Sequence, residues 1–453
     1  MSATGRLGLV TGATGYVGGK LVPELLERGW RVRVLTRDAE KLKDLPWGDA
    51  VEVVEGDASE PADLDRALAG ADVAWYLLHS MEQGGSFGDI EREMAESFAA
   101  AARGAGVGRL VYLGGLHPEG ELSPHLRSRV EVGQILMDSG VPTAALQAGV
   151  VIGKDSISFR MLRHLSERLP GAIGPSWIRN RIQPIAVADL MHYLVAAADL
   201  EPSVNRTFDI GGPEALTYAD MMVRYAAAVG LGPRIVLTAP VTTAHLAARW
   251  MGLVTPIRTT MARPLIGSLL NNTVVAERDL DDIVGAPPGG HTPFDDAVRA
   301  AVRDVDTRSW RRTLLATTGA VAAAAAVGGL LGATGRSRGI VLPAVWAGVH
   351  ADLAVMSALV LSDLADGGRD DERKAFAKIL TANLVLTASH GLLGRSRSRA
   401  LGAVLALLTA GSSAELVRRS AKASPERAFF LLPWAATTSL SAALRPRRPR
   451  RER

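Results

Sequence analysis

The chain carries the segment TGATGYVG at residues 11–18, with glycines at positions 12, 15 and 18. A short apolar run, Leu7–Thr11, precedes the glycines, and a stretch with helical spacing, Tyr16–Arg28, follows them. Between a strand and a helix, the first glycine permits a tight turn, the second lets the backbone approach a pyrophosphate, and the third allows close helix–strand packing. The helix N-terminus then faces the phosphates. The segment therefore predicts a dinucleotide-binding turn; the alternative is a glycine turn without a ligand.

Strand-like and helix-like segments alternate through the first 150 residues. Further segments with an apolar or period-two pattern, typical of strands, are Arg31–Thr36, Val51–Glu55, Asp72–Leu78 and Leu110–Leu113. Helical spacing marks three segments between them: Pro61–Leu68, Ile90–Arg103 and Pro124–Asp138. This alternation predicts an α/β fold with a doubly wound parallel sheet. Right-handed crossovers then bring the carboxyl ends of the strands to one edge, where ligands bind.

The end of the second predicted strand indicates which nicotinamide cofactor fits. A carboxylate usually stands there and holds the ribose hydroxyl of NAD. This chain has Thr36 and Arg37 instead, with Lys41 one turn later. A guanidinium pairs with a 2′-phosphate, which a carboxylate would repel. The sequence therefore favours NADP(H), while Asp38, the next residue, keeps NAD(H) open.

Several motifs within residues 1–305 point to a known family. They are TGATGYVG at 11–18, GDAS at 56–59, VYLGG at 111–115, QPIAVADL at 183–190 and FDIGGPEALTY at 208–218. With these motifs the region resembles an atypical, extended short-chain dehydrogenase/reductase of the NmrA-like kind, and it is similar to the NAD(P)H-binding accessory subunit of respiratory complex I. The resemblance implies an NAD(P)-binding Rossmann domain over residues 1–305, with Asp57 reading the adenine amino group. The predicted cofactor-binding residues are Thr11, Gly12, Thr14, Gly15, Tyr16, Val17, Gly18, Arg37 and Asp57.

The residues that carry the family's chemistry are replaced in this chain. Members of the family use a Tyr and a Lys four residues apart on one helix; the Lys lowers the pKa of the Tyr, which exchanges a proton with the substrate carbonyl. Those two positions hold His125 and Arg129 here. The upstream serine of the same tetrad falls at Gly114 or Gly115. The usual catalytic tetrad is therefore absent.

Four residues remain as candidates for catalysis. His125 can shuttle a proton, because an unperturbed imidazole has a pKa of about 6.5, or it can face a solvated cleft. Arg129 can bind phosphate or ribose. His79 and Ser80 end the fourth predicted strand, where the nicotinamide lies in such folds, and the alternative is that both are loop residues.

Composition divides the chain near residue 307. Residues 308–453 carry 22 basic and 9 acidic side chains, whereas residues 1–307 carry 29 and 38. The chain has no cysteine, which excludes disulfides, thiolate metal centres, iron–sulfur clusters and cysteine nucleophiles; we predict no metal site. Basic stretches lie beside apolar runs, so we expect no nucleic-acid binding. Residues 1–6 lack a basic segment followed by a long apolar core, so we expect no signal peptide.

A basic linker at 306–312 leads into a region of apolar segments. These segments are Thr313–Gly335, Gly339–Ser362, Ile379–Gly394, Ala400–Ala414 and Ala428–Leu444. Because about 20 apolar residues cross a bilayer, the pattern predicts an all-α bundle of about five transmembrane helices over 313–444, before an Arg-rich tail at 445–453. The alternative is a helical bundle in water. On the first interpretation the protein is integral to a bacterial cell membrane, and its Rossmann domain faces the cytoplasm.

Three stretches of this region carry a second resemblance. They are LPAVWAGVHADLAVMSA at 342–358, TANLVLTASHGLL at 381–393 and FLLPWAATTSLSAAL at 430–444. They resemble the TspO (tryptophan-rich sensory protein) family, whose members have five membrane helices and bind porphyrins or sterol-like lipids. His390 stands where that family has a tryptophan, and Thr437 and Leu440 occupy other aromatic positions. The resemblance implies a domain that gathers a hydrophobic ligand.

The two resemblances together predict a membrane-anchored NAD(P)H-binding oxidoreductase. Its substrate would be a hydrophobic small molecule of the isoprenoid, quinone or tetrapyrrole class, presented from the lipid bilayer by the TspO-like domain. One alternative is a non-catalytic redox sensor, which the missing tyrosine favours. Another is a structural subunit like the complex I relative. The sequence leaves a homo-oligomer open.

Overall fold

The computed structural model describes residues 5–78, 87–117, 122–239, 251, 254–332, 341–367, 369–393, 399–423 and 431. The chain divides into two compact units. The front unit comprises Met1–Ala248 and Thr259–Val305, and the back unit comprises Arg249–Arg258 and Asp306–Arg453. Each unit is built around its own apolar core.

The centre of the front unit is a parallel sheet of seven strands. In chain order these are β1 Leu7–Thr11, β2 Arg31–Thr36, β3 Glu52–Glu55, β4 Val73–Tyr76, β5 Arg109–Gly115, β6 Thr143–Ala148 and β7 Arg206–Ile210. Their order across the sheet is β3-β2-β1-β4-β5-β6-β7, and every pair of neighbours is parallel. The chain reverses its direction of travel across the sheet between β1 and β4, which opens a crevice at their carboxyl ends. The predicted doubly wound parallel sheet is confirmed.

Helices flank this sheet. In chain order they are α1 Gly18–Glu27, α2 Glu40–Lys43, α3 Pro61–Leu68, α4 Phe87–Gly104, α5 Pro124–Met137, α6 Ile157–Arg168, α7 Val187–Ala196, α8 Tyr218–Ala228, α9 Thr259–Ser268, α10 Asp279–Val284 and α11 Phe294–Ala301. Short two-stranded pieces pair Val151–Ile152 with Ile185–Ala186, Arg181–Ile182 with Leu216–Thr217, and Gly171–Pro175 with Ile235–Ala239. The periodic segments in the sequence thus predict the helices beside the sheet well, because each of these helices buries one apolar stripe.

Alternate residues of the strands build two cores, one on each face of the sheet. Val10 and Trp75 pack on one face with Leu21 of α1 and Leu190 of α7. Their neighbours Leu9 and Tyr76 point to the other face and pack with the helices α3, α4 and α5. Both faces of the central strands are covered in this way, which explains why β1 and β4 are buried along their whole length.

The back unit is helical where the structure describes it. Its helices are α12 Ser309–Gly332, α13 Val341–Asp366, α14 Asp370–Leu393 and α15 Arg399–Ala423. Leu353 and Leu359 of α13 pack with Phe376 and Leu380 of α14 and with Leu416 of α15. The last predicted helical segment, 428–444, lies outside the described residues apart from Leu431.

The prediction of a transmembrane bundle, and with it the integral-membrane location, is wrong. Among the described residues, no helix combines the length and the apolar character that a bilayer crossing requires. The uncharged run 313–335 is rich in Ala, Gly and Thr, which carry little apolar surface, and helices of this unit extend past the apolar runs into charged residues. The first turn of α14, for example, contains Asp370, Asp371 and Glu372, and Glu415 of α15 pairs with Arg418.

Candidate functional site

The glycine turn between β1 and α1 has a backbone path that side chains would block. Gly12 has a φ of +67°, and a Cβ atom placed there would lie 2.7 Å from the carbonyl oxygen of Leu77. A Cβ atom at Gly18 would overlap the carbonyl oxygen of Gly12. The amide of Gly15 donates to that same oxygen at 2.9 Å, which closes the turn. Both Gly12 and Gly18 are therefore required by the shape of the backbone.

Thr11 joins this turn to the neighbouring strand. Its hydroxyl donates to the carbonyl oxygen of Trp75 at 3.0 Å and accepts from the amide of Leu77 at 3.1 Å. The residue is fully buried. Thr11, which the sequence placed among the cofactor-binding residues, is therefore a positioning residue, because it holds the ends of β1 and β4 at the crevice.

The exposed part of the turn is its tip. Thr14 and Gly15 are exposed, while Tyr16 and Val17 are half-buried. The phenol oxygen of Tyr16 fills the space beside Gly153, where a Cβ atom would overlap it, and burial raises the pKa of that phenol. An open backbone tip next to a helix N-terminus is the cradle that a pyrophosphate requires, so the residues present fit a dinucleotide.

The ends of β2 and β3 carry the residues predicted to read the cofactor's adenosine. Asp38 accepts from the amide of Glu40 at 3.1 Å and lies 3.6 Å from the ammonium of Lys41, so its carboxylate is engaged with α2. Asp57 accepts from the amide and hydroxyl of Ser59 at 3.0 and 2.9 Å, both on Oδ1. These bonds, with a smaller contribution from the charge of Arg37, lower the pKa of the Asp57 carboxyl below its usual range.

Arg37 itself is exposed. Its guanidinium has no hydrogen bond or ion pair with the part of the chain that the structure describes, and it is close enough to Asp57 to affect that carboxyl's titration. Arg37 is therefore a cation at the end of β2 that is available to a ligand.

A cavity of about 200 Å³ lies beyond the carboxyl ends of β5 and β6. Its walls come from both strand ends and from the helices α5, α6, α8 and α9. They include Gly114, Gly115, Leu116, His125, Leu126, Arg129, Ser158, Met161, Tyr218, Leu265, Ser268, Leu269 and Thr273. Both catalytic candidates predicted on α5, His125 and Arg129, thus line this cavity.

Arg129 is part of the wall and also holds it together. Its guanidinium donates to the carbonyl oxygens of Leu78, at 3.2 Å, and of Leu113, and lies 4.8 Å from the ring centroid of Tyr112. The residue is only 8% exposed. Because Leu78 follows β4 and Leu113 belongs to β5, the arginine ties two strand ends together at the position where the family has its lysine.

The other candidates differ in where they lie. His125 is half-buried on the first turn of α5 and lines the cavity. His79 and Ser80 lie outside the described residues. The glycines at 114 and 115 offer bare backbone at the serine position, and a Cβ atom at Gly114 would lie 3.1 Å from the ring of Tyr112. The structure therefore places His125 and Arg129 on the same cavity. At positions 114 and 115, where the family has its catalytic serine, this chain supplies no hydroxyl.

The sequence analysis did not single out Tyr218, which also lines this cavity. It is the first residue of α8, which Thr217 caps: the Thr217 hydroxyl accepts from the amide of Asp220 at 3.0 Å. The Tyr218 side chain is 2% exposed, and its hydroxyl has no hydrogen-bond partner among the described residues. The signal in the sequence was the last residue of the segment FDIGGPEALTY, which served only to identify the family.

Comparison with known proteins supports the front unit. The family described as NAD(P)H-binding matches residues 12–148. A (4-alkanoyl-5-oxo-2,5-dihydrofuran-3-yl)methyl phosphate reductase from Streptomyces griseus is 31% identical over 230 residues, which are 49% of this chain and 73% of that protein. An NAD(P)H azoreductase from Xenophilus azovorans is 27% identical over 237 residues, which are 50% of this chain and 76% of that protein.

Solved structures share the fold. A triphenylmethane reductase from Citrobacter sp. in complex with NADP(H) has a TM-score of 0.52 and 18% identity, and the match covers 65% of this chain and 99% of that one. A short-chain dehydrogenase/reductase superfamily protein from Agrobacterium tumefaciens with bound NAD has a TM-score of 0.50 and 18% identity, covering 68% and 98%. At this identity the likeness shows the fold alone. The resemblance to the TspO family finds no support in these comparisons.

Proposed function

The chain belongs to the NAD(P)H-binding family of short-chain dehydrogenase/reductase-like proteins, and we propose that it is an NAD(P)H-dependent reductase of a small, largely apolar molecule. One observation carries the proposal. The glycine cradle at the end of β1 and the cavity at the ends of β5 and β6 open on the same carboxyl edge of one parallel sheet. That edge is where this fold binds a dinucleotide and, next to it, a substrate.

We propose NADP(H) as the preferred cofactor. Arg37 supplies an exposed guanidinium where the adenosine ribose lies in this fold, and Asp38 is engaged with α2 and Lys41. A guanidinium forms charge-assisted hydrogen bonds with a phosphate. The solved structures with this fold include complexes with NADP(H) and with NAD, so the choice depends on this chain's own residues.

His125 and Arg129 have different roles in the proposed reduction. Bound NAD(P)H supplies a hydride to the substrate, which gains one proton as well, so that the cofactor is oxidised by two electrons. His125 is the titratable group on the cavity wall that can deliver the proton. Arg129 keeps the wall in place through its bonds to the strand ends.

The size and lining of the cavity limit the substrate. A space of about 200 Å³ is at the small end for ligand sites and is walled mostly by Leu, Met, Ala and Gly. Of the hydrophobic classes that the sequence suggested, a quinone or a short isoprenoid fits such a space better than a tetrapyrrole. The reductase names of the two relatives support reduction as the reaction class.

A redox sensor is the second candidate, and one observation favours it. The position that should lower a tyrosine pKa holds Arg129, whose guanidinium is committed to backbone carbonyls of Leu78 and Leu113. A protein of this kind would bind the cofactor without turning it over.

Cofactor consumption separates the two candidates. The full chain is mixed with NADPH or NADH and with naphthoquinones, short-chain enals, an azo dye and a triphenylmethane dye in turn, and loss of reduced cofactor is followed by absorbance. We expect steady consumption that depends on one acceptor class and on NADPH. Tight cofactor binding without consumption for every acceptor would favour the sensor. Failure to bind either cofactor would contradict both.

A further inference from the structure

A second cavity lies beside the one beyond β5 and β6, which we call the first cavity. The second cavity also measures about 200 Å³, and its walls come from helix α5 and from the strands β5, β6 and β7. Ala145 and Gln147 of β6 and Thr207 of β7 are part of its lining. If the two cavities were joined, the space open to a ligand would be about twice as large.

The two cavities have three lining residues in common, which are Gly114, Gly115 and Arg129. The two glycines have no side chain, so Arg129 is the one side chain, among the described residues, that belongs to both linings. Along α5, the lining residues before Arg129 belong only to the first cavity and those after it only to the second. The boundary between the cavities therefore passes through Arg129.

The side chain of Arg129 is held at this boundary. Its guanidinium donates to the carbonyl oxygen of Leu113, which lines only the first cavity, and lies 4.8 Å from the ring centroid of Tyr112, which lines only the second. A bond of 3.2 Å to the carbonyl oxygen of Leu78 fixes the same group. The side chain thus reaches across the end of β5, between a wall of each cavity.

We propose that Arg129 is a specificity-determining residue, whose side chain separates the two cavities and so limits the substrate to a molecule that fits the first cavity alone. Such a molecule has about the size of one aromatic ring with a short substituent. The inference rests on the proposed function, because it takes the first cavity as the substrate site. Arginine suits this role better than the family's lysine, because its planar guanidinium can donate to two carbonyl oxygens in a fixed geometry.

The proposal predicts how two ketones of different size bind. Acetophenone has one aromatic ring, and 4-acetylbiphenyl adds a second ring to the same molecule. Their affinities are measured by ligand-observed NMR on the full chain with NADP⁺ present, and the ratio of the two affinities reports the size limit. Arg129→Ala joins the cavities, so the ratio should shift towards 4-acetylbiphenyl by about tenfold or more, as expected for the burial of one aromatic ring.

Thr207→Phe tests the separation while Arg129 is intact. Thr207 lines only the second cavity and is half-buried on the edge strand β7, where an aromatic side chain suits a strand. Because the larger side chain fills space in the second cavity alone, both affinities should stay within about twofold of wild type. In the double variant Arg129→Ala/Thr207→Phe, the same side chain should cancel most of the gain for 4-acetylbiphenyl.

Three results would overturn the proposal. An unchanged ratio in Arg129→Ala would show that the arginine does not limit the size of the ligand. Weaker ketone binding in Thr207→Phe alone would show that the cavities are already joined, and this result can be obtained even if Arg129→Ala does not fold. A gain that persists in full in the double variant would place the second ring outside the second cavity.

NADPH oxidation, followed on the same samples, separates a failure of this proposal from a failure of the proposed function. The expected shift in Arg129→Ala, without oxidation by any acceptor tested, would contradict the reductase proposal and retain the size limit. Oxidation by wild type, with neither ketone bound or with an unchanged ratio, would contradict the size limit and retain the reductase.

Discussion

The two regions at the carboxyl edge of the sheet, the glycine turn after β1 and the cavity beyond β5, are built in different ways. At the end of β1 the proposed cofactor site is formed by backbone, and Gly12 and Gly18 cannot be replaced without a clash. At the end of β5 side chains line the cavity, and His125 and Arg129 stand where the family has tyrosine and lysine. A turn that binds through its backbone amides tolerates few substitutions, because binding depends on the path of the backbone. Side chains, in contrast, can be replaced when the chemistry changes. This difference explains why the glycine turn at the end of β1 identifies the family, whereas the side chains at the end of β5 do not identify the reaction.

The largest effect should come from a side chain placed in the glycine turn. In Gly12→Val a β-branched residue would have to adopt a φ of +67° with its Cβ atom 2.7 Å from the Leu77 carbonyl oxygen. We expect the affinity for NADPH to fall by more than about 100-fold, because the amides that hold the pyrophosphate lose their arrangement. Titration of NADPH fluorescence measures the change.

Gly19→Ala provides the control for this variant. Its new Cβ atom would lie at an ordinary contact distance, 3.4 Å from the carbonyl oxygen of Ala13. Cofactor affinity should stay within about twofold, and alanine should stabilise α1 by up to about 1 kcal/mol. If Gly12→Val and Gly19→Ala bound NADPH equally well, the path of the backbone at Gly12 would not be what holds the cofactor.

The second prediction concerns the side-chain end. His125→Gln keeps a polar side chain on the cavity wall and removes the titratable group, so turnover should fall by about 100-fold. The dissociation constant of NADPH should stay unchanged, since the glycine turn is untouched. Steady-state kinetics with the best acceptor, together with the same fluorescence titration, test both statements. Turnover equal to that of wild type would remove His125 from the reaction.

Sequence analysis predicted the sheet well because strands and helices of this unit obey local patterns. Leu7–Thr11 and Arg31–Thr36 were assigned to the residue, since each is an apolar or alternating run that ends at a turn. The same reasoning failed in the back unit. Uncharged runs such as 313–335 suggested membrane spans, although the helix over that run begins at Ser309 and includes Arg311 and Arg312. Absence of charge is a weaker signal than strong hydrophobicity.

The side-chain end could not be predicted because its contacts join distant parts of the chain. The bond from Arg129 to Leu78 spans 51 residues, so the sequence offered phosphate or ribose as the partner of that guanidinium. The unpaired hydroxyl of Tyr218 likewise becomes visible only when its surroundings are known. Local patterns reveal which residues are buried, and they do not reveal whether a buried polar group has found a partner.

The third prediction tests whether a side chain also contributes at the backbone end. Arg37→Ser removes the exposed guanidinium, and a charge-assisted hydrogen bond corresponds to about 1.5–3 kcal/mol, so NADPH should bind about 30-fold more weakly. The affinity for NADH should stay within about twofold. Raised salt should weaken NADPH binding to wild type more than to the variant. Equal losses for both cofactors would show that Arg37 acts on something other than the 2′-phosphate.

The smallest effect sharpens the contrast within helix α8. Tyr225→Phe breaks a buried bond to the carboxylate of Glu167, so the free energy of unfolding should fall by about 1.5 kcal/mol. Tyr218→Phe should cost nothing and can stabilise the ligand-free protein, because it removes a hydroxyl that the fold does not satisfy. Urea unfolding of both variants, followed by far-UV circular dichroism, gives the two values under one condition. Losses of the same size would mean that both hydroxyls contribute equally to the stability of the fold.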